Sequence, residues 1–331
     1  MINKIFHLMK SSKPKIRNNK PDHLLKTMQF HNTFRPILTG LLVIAFLFVS
    51  GTIKADDENS NASQSEHKLR NKIALNAYSF NALLKKDSMD IFQLLEYCAK
   101  IGFDGVDITG YYFPAYPEVP SDAYIYSVKK RAFELGLDIC GTGVRNDFCN
   151  PDPEVREKDK ALIKNWIIVA EKLGAPALRI LQGNKISEDH SWDELAKWAA
   201  EVIIECAEFG KEHGVVLEIQ NHNNFLKTAE DVTRLLEMTD HEWVGLMLDV
   251  GSYRTKDPYH DIAETIKYAI SWQLKELVYI DQAKTPVDLH KIKEIILNSE
   301  YKGYLPIETL GPGDPYKKVE QFYSEVISTL K

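Results

Sequence analysis

Residues 215–220 read VVLEIQ, 244–249 VGLMLD, 269–273 AISWQ and 304–308 YLPIE, four short apolar runs each closed by one polar residue: Gln220, Asp249, Gln273 and Glu308. In a β/α barrel the carboxyl ends of successive parallel strands converge on one mouth, where enzymes of this architecture keep their chemistry. Four polar tips from distant stretches would then form one cluster.

Around these runs, short β-rich segments alternate with amphipathic ones about eight times. The strands read as 73–79, 104–109, 137–142, 176–181, 215–220, 244–249, 269–275 and 303–308. This alternation argues for parallel β/α units and not for a sandwich or bundle. Helix starts carry local chemistry: Asp152 before Pro153, Ser191 with Glu194 as a capping box, and Asp314 before Pro315. Glycines 136, 174 and 214 mark the returns to strand. The expected fold is a single (β/α)8 TIM barrel over 72–331, close to the ~250 residues typical of that architecture. Pro306, inside the last strand, lacks a ladder donor and sits awkwardly there.

The N-terminus has a different character. Residues 1–36 hold eight Lys/Arg against Asp22 alone, and the apolar run 37–49 follows. That run is short of the roughly 20 residues a spanning helix needs, and the order of basic, apolar and small residues is that of an export signal. Residues 1–55 are expected to be a signal peptide cleaved after Ala55, or an uncleaved anchor that is the chain's one link to a membrane. Residues 56–71 are polar and aperiodic and read as a disordered linker. The barrel is therefore expected outside the cytoplasm, periplasmic or tethered.

Setting aside those eight residues, Lys54 and Asp22 leaves 32 Lys/Arg and 46 Asp/Glu, a net charge of −14. That balance disfavours a nucleic-acid partner; a homo-oligomer is compatible with it. Cys98, Cys140, Cys149 and Cys206 lack finger spacing and read as free, packed thiols.

Strand periodicity puts Glu218 with Gln220, and Gln273 with Lys275, on common inward faces. Asp249 and Glu308 close fully apolar strands, and two converging carboxylates require a cation. A divalent metal meets that need; an ion pair with Arg179 or Lys275 is the competing solution. The early strands end in Asn76, Tyr78, Asp107, Thr109 and Tyr111, and Arg145 with Asn146 follows the third, groups suited to hydroxyl recognition and ring stacking. GPGDP at 311–315 is a weak candidate for phosphate, and GTGVRN at 141–146 lacks dinucleotide-fingerprint spacing.

The stretches GFDGVDITGYY (102–112), GVVLEIQNHNNFLKTAEDV (214–232), WVGLMLDVGSY (243–253), WQLKE (272–276) and KGYLPIE (302–308) resemble, in order and spacing, the sugar phosphate isomerase/epimerase family with the xylose isomerase-like barrel. The resemblance covers essentially all of 72–331. It implies a divalent metal, Mn²⁺, Mg²⁺, Co²⁺ or Zn²⁺, held by the strand tips. Carried over residue by residue, the ligand positions are Gln220, Asp249, Gln273 and Glu308, with Glu218 as an alternative first ligand. The family pattern has Glu and His where this chain has Gln220 and Gln273, which weakens the expected site.

The implied chemistry is removal of a proton beside a carbonyl of a carbohydrate, with Glu308 as the surviving acid/base and Lys275 or His222 as its counterpart. Asn76, Tyr78, Asp107, Tyr111, Arg145 and Asn146 are the expected substrate contacts. The leading expectation is a sugar isomerase or epimerase acting on an exported-compartment keto-sugar or 3-keto-glycoside. A lyase or dehydratase on the same substrates and a non-catalytic sugar-binding barrel are the alternatives; a related zinc nuclease is disfavoured by the acidic charge.

Overall fold

The computed structural model describes residues 69–183, 189–222 and 225–331. The expected signal segment, and the linker as far as residue 68, lie outside the described residues. Leu69 to Asn71, at the end of the expected linker, already belong to the fold: the Leu69 N–H donates to the Leu330 carbonyl at 3.0 Å, and Asn71 Nδ2 donates to the Gly303 carbonyl at 2.9 Å.

The strands are β1 (Ile73–Asn76), β2 (Gly105–Thr109), β3 (Asp138–Gly143), β4 (Ala177–Ile180), β5 (Val216–Gln220), β6 (Val244–Asp249), β7 (Ala269–Lys275), β8 (Leu277–Ile280), β9 (Ala283–Pro286) and β10 (Leu305–Glu308). Eight of them close a parallel barrel in the order β1-β10-β7-β6-β5-β4-β3-β2. The helices are α1 (Asn81–Leu84), α2 (Ile91–Ile101), α3 (Asp122–Glu134), α4 (Pro153–Leu173), α5 (Trp192–His213), α6 (Ala229–Thr239), α7 (Pro258–Thr265), α8 (Leu289–Leu297) and α9 (Pro315–Leu330). The expected (β/α)8 barrel is the observed fold.

Local chemistry sets these boundaries. Asp152 Oδ1 caps α4 by accepting from the Glu154 N–H, Ser191 and Glu194 form a reciprocal capping box on α5, and Asp314 caps α9. Caps of this kind contribute about 1 kcal/mol each. Gly174 and Gly214 end α4 and α5 with φ of 78° and 66°, where a Cβ is penalised.

The strands alternate cleanly. Leu217 and Ile219, Leu246 and Leu248, and Trp272 and Leu274 belong to the apolar layer between barrel and helices. Their neighbours Glu218, Gln220, Asp249, Ser271 and Gln273 are buried polar residues. Period-two geometry makes these the barrel interior. The four cysteines are free and buried.

Pro306 fits because of its side of the ladder. Leu305 N–H donates to the Lys72 carbonyl beside β1, so alternation turns the Pro306 nitrogen toward β7. Pairing with β7 begins only at Ile307↔Leu274, and no donor is missed. One element was not expected: β8 and β9 form an antiparallel hairpin after β7, turning through Asp281 and Gln282 at φ 48° and 66°, the signature of a tight hairpin turn.

Candidate active site

The interior holds two polar layers. In the deeper one Arg179 stands beside Glu218 in the β4–β5 register, and Ser271 Oγ donates to Glu218 Oε2 at 2.5 Å. Asn76 Nδ2 donates to Asp107 Oδ2 at 2.6 Å. Burial raises the Glu218 carboxyl to about 8, against the Ser271 hydrogen bond and Arg179. Burial likewise lifts Asp107 to about 6, with Arg179 and Asn76 opposing. This layer carries fewer negative charges than its residue types suggest.

The upper layer is the set of strand tips. Asp249 on β6 faces Gln273 on β7, and Glu308 on β10 faces Lys275 on β7. Asp249 Oδ2 accepts from Lys275 Nζ at 2.6 Å, from Gln220 Nε2 at 2.8 Å and from Ser252 Oγ at 2.8 Å. Its Oδ1 takes the Gly251 N–H at 3.0 Å. Gln220 Nε2 also donates to Gln273 Oε1 at 2.5 Å. Asn221 clamps the Asp249 backbone, accepting its N–H at 2.7 Å and donating to its carbonyl at 3.0 Å.

Lys275 Nζ lies 3.3 Å from Glu308 Oε2, within ion-pair range, although Oε2 has no aligned hydrogen bond. One ammonium therefore serves two carboxylates, and they share it unequally. Burial would raise the Asp249 carboxyl, but Lys275, Ser252 and Gln220 hold it below its ordinary value. Burial, reinforced by the Asp249 charge, pushes Glu308 up to about 7 despite Lys275. Burial alone would lower Lys275; Asp249 and Glu308 outweigh it and keep the ammonium charged.

Above these tips opens a cavity of about 410 Å³, within the range of small-molecule sites. Of the residues singled out in the sequence, Asn76, Tyr78, Thr109, Tyr111, Arg145, Arg179, Gln220, His222, Gln273, Lys275 and Glu308 line it. Asp107, Glu218 and Asp249 lie outside its wall, buried among the interior partners just described. Asn146 is also off the wall: its Nδ2 donates to the Leu181 carbonyl, and its Oδ1 accepts the Leu181 N–H at 2.8 Å, pinning two loops together. Ser252, Arg254, Tyr279 and Lys284 line the cavity without having been anticipated. The VYIDQAKT alternation over 278–285 was the available signal for the last two.

His222 Nδ1 is buried and has no partner among the described residues. Burial lowers its pKa, with Asp249 opposing, so the imidazole is neutral. β5 and β10 are three strands apart in a barrel of eight, so His222 and Glu308 approach the cavity from facing sides.

This donor set does not fit the divalent metal implied by the resemblance. Two of four positions are amides, and Gln220 turns its N–H₂ toward Asp249 and Gln273 where a metal needs lone pairs. Asp249 already accepts from four donors, and the Lys275 ammonium stands between the two carboxylates. Among the described residues no group of three or more His, Cys, Asp or Glu is arranged to hold a metal.

A family model described as a xylose isomerase-like TIM barrel matches residues 95–325. The chain belongs to that family. The family resemblance read from the strand-tip motifs is thus borne out. Similar solved structures include D-psicose 3-epimerase with D-tagatose from Clostridium cellulolyticum H10, at 18% identity and a TM-score of 0.66, covering 78% of this chain and 99% of that one. The apo form of 3-keto-D-glucoside 4-epimerase from E. coli matches at 15% identity and a TM-score of 0.61, covering 72% and 94%. A xylose isomerase-like TIM barrel protein from Mycobacterium smegmatis in complex with magnesium matches at 19% identity and a TM-score of 0.57, covering 79% and 98%. No curated protein matches the chain. At these identities the structural neighbours share the family's fold, and their ligands are their own.

Proposed function

We propose that this family member is a sugar epimerase or isomerase that moves a proton beside a ketone, on a keto-sugar or 3-keto-glycoside, in the compartment to which its first 55 residues direct it. The observation that carries the reading is the meeting of Glu308 and Lys275 beneath a sugar-sized cavity. An ammonium has three donors; Asp249 takes one and Glu308 stands within ion-pair range, which leaves donor capacity for a substrate carbonyl. Charge developing on that oxygen is met by a fixed cation in a site shielded from water, and such preorganised electrostatics usually dominate catalysis of this kind.

Glu308 is the acid/base. When it takes the proton, the C–H bond breaks, its electron pair forms the C=C bond, the C=O π pair moves onto the oxygen, and the enediolate rests against Lys275. A carboxyl near 7 populates both protonation states at neutral pH, as reversible proton transfer requires. His222, neutral and across the cavity, removes or returns the proton on the opposite face in epimerisation; Glu308 working alone gives isomerisation. Asn76, Tyr78, Tyr111 and Arg145 are the sugar contacts. The expected divalent metal has no step in this scheme, because the donor set does not suit one.

Incubating the protein in D₂O with D-fructose, D-psicose, D-tagatose and a 3-keto-D-glucoside, and following the α-carbon protons by NMR, tests the reading. Exchange with at least one ketone, reduced a hundredfold or more in Glu308→Gln, is the expected result. Elimination product would instead indicate the lyase, and melting shifts without exchange a binding barrel.

A further inference from the structure

We infer that the substrate carries an anionic group, a carboxylate or a phosphate, and that Arg254 holds it; this deepens the sugar reading above and rests on it for the rest of the ligand. The cavity is the basic place in an acidic molecule. Arg145, Arg179, Arg254, Lys275 and Lys284 line it, against Glu276 and Glu308 alone. Glu276 is already committed, accepting from Lys318 Nζ at 2.8 Å and the Leu310 N–H at 3.2 Å. Glu308 and Asp249 engage Lys275. Among the described residues no carboxylate lies within ion-pair distance of Arg145, Arg179 or Arg254.

Arg179 still has company, since the buried Asp107, Glu218 and Glu308 feel its charge. Arg254 feels one carboxylate, Asp249, and is held in place by other groups. Its Nη1 donates to the Gly251 and Tyr253 carbonyls at 2.9 Å each, and its guanidinium lies 3.6 Å from the centroid of the Tyr279 ring on the β8–β9 hairpin. The planar group is thereby fixed in direction while its remaining N–H donors have no protein partner among the described residues. Burial pushes its pKa down, with Tyr279 and then Asp249 opposing. A guanidinium desolvated at a cavity wall, oriented by carbonyls and an aromatic face, and left without a counter-ion is built for an anionic oxygen pair. Lys284 on the same hairpin adds a second positive charge.

Binding is measured by calorimetry on Glu308→Gln protein, which removes turnover, with D-glucuronate, D-glucose 6-phosphate, D-glucose and inorganic phosphate. The expected result is tenfold or greater preference for at least one anionic sugar over D-glucose, the size of one charge-assisted contact, abolished in Arg254→Gln and only partly restored in Arg254→Lys. The two sugars tell carboxylate from phosphate, and tighter binding of inorganic phosphate than of either sugar counts against a sugar site. Melting curves confirm that the variants fold; should Arg254→Gln fail, Lys284→Ala must still weaken the anionic sugar selectively. Equal binding of D-glucose and both anionic sugars overturns the inference even where neutral ketones exchange deuterium. Selective binding of an anionic sugar without exchange on a ketose that carries the same anionic group, such as D-fructose 6-phosphate, overturns the catalytic reading and leaves this one standing.

Discussion

Replacing Lys275 by Met removes the one cation that Asp249 and Glu308 share. Breaking a buried ion pair by deleting one partner costs about 3–5 kcal/mol. The low end applies here, because Asp249 keeps the Gln220, Ser252 and Gly251 donors and Glu308 escapes charge by protonation. About 3 kcal/mol corresponds to a fall in melting temperature of roughly 6–12 °C for a domain of this size. The sign with pH is fixed by Asp249. Its pKa is held below its ordinary value in the native protein, so its ion pair stabilises above the unfolded value and fades as pH falls through the folded one. The variant's deficit must therefore be larger at pH 8 than at pH 2.5, below the ordinary aspartate value. Thermal unfolding at both pH values, with and without Mn²⁺, reads out the effect. A dication roughly 4 Å from the ammonium is repelled by about 8 kcal/mol at an effective dielectric of ~20. Millimolar Mn²⁺ should then leave the native melt unmoved and raise that of Lys275→Met, and raise it further when Gln220→Glu and Gln273→His are added. A native protein that binds Mn²⁺ stoichiometrically at micromolar concentration, or a Lys275→Met protein as stable as the parent at pH 8, would show that Lys275 does not hold the place of the metal.

Glu218→Gln should stabilise the protein at high pH. A carboxyl raised to about 8 when folded binds protons that the unfolded chain has released, so stability falls as pH climbs from about 4.5 through 8. The variant should gain on the order of 5 kcal/mol at pH 9 and nothing at pH 4.5; parallel pH profiles in urea unfolding would exclude the buried-acid account. Gly251→Ala should cut deuterium exchange more than it cuts stability, since its Cβ would come within 2.6 Å of Lys275 Cδ and displace that side chain; unchanged exchange in a folded variant would argue that Lys275 placement is irrelevant.

Much of this site was legible in the chain. Apolar runs with period two identify strands, and the polar residue that ends each run must face the barrel mouth, which is why Gln220, Gln273 and Glu308 were found from spacing alone. Depth was harder to read. Asp107 lies in the middle of β2, two residues short of its end at Thr109, and its carboxyl is spent on Asn76 instead of the cavity. Asn146 looked like a sugar contact because loop amides often are; nothing local signals that its amide bonds to the backbone of Leu181, 35 residues on. Arg254 and the β8–β9 hairpin were missed because they follow strands already counted, and a charged loop residue carries no periodicity. Lys275 was visible as a rival to a metal. The choice between them depended on which way the Gln220 amide turns, a property of packing across three strands.

Above all, Glu308 is held to move a proton on a sugar ketone that rests against Lys275. The decisive quantity is the rate of deuterium incorporation beside the carbonyl, in D₂O, by metal-stripped native protein and by Glu308→Gln across the ketoses and keto-glycosides named above. Exchange should survive chelation and fall at least a hundredfold in the variant. Exchange that persists in Glu308→Gln, or that appears only when a divalent metal is restored, would contradict this role.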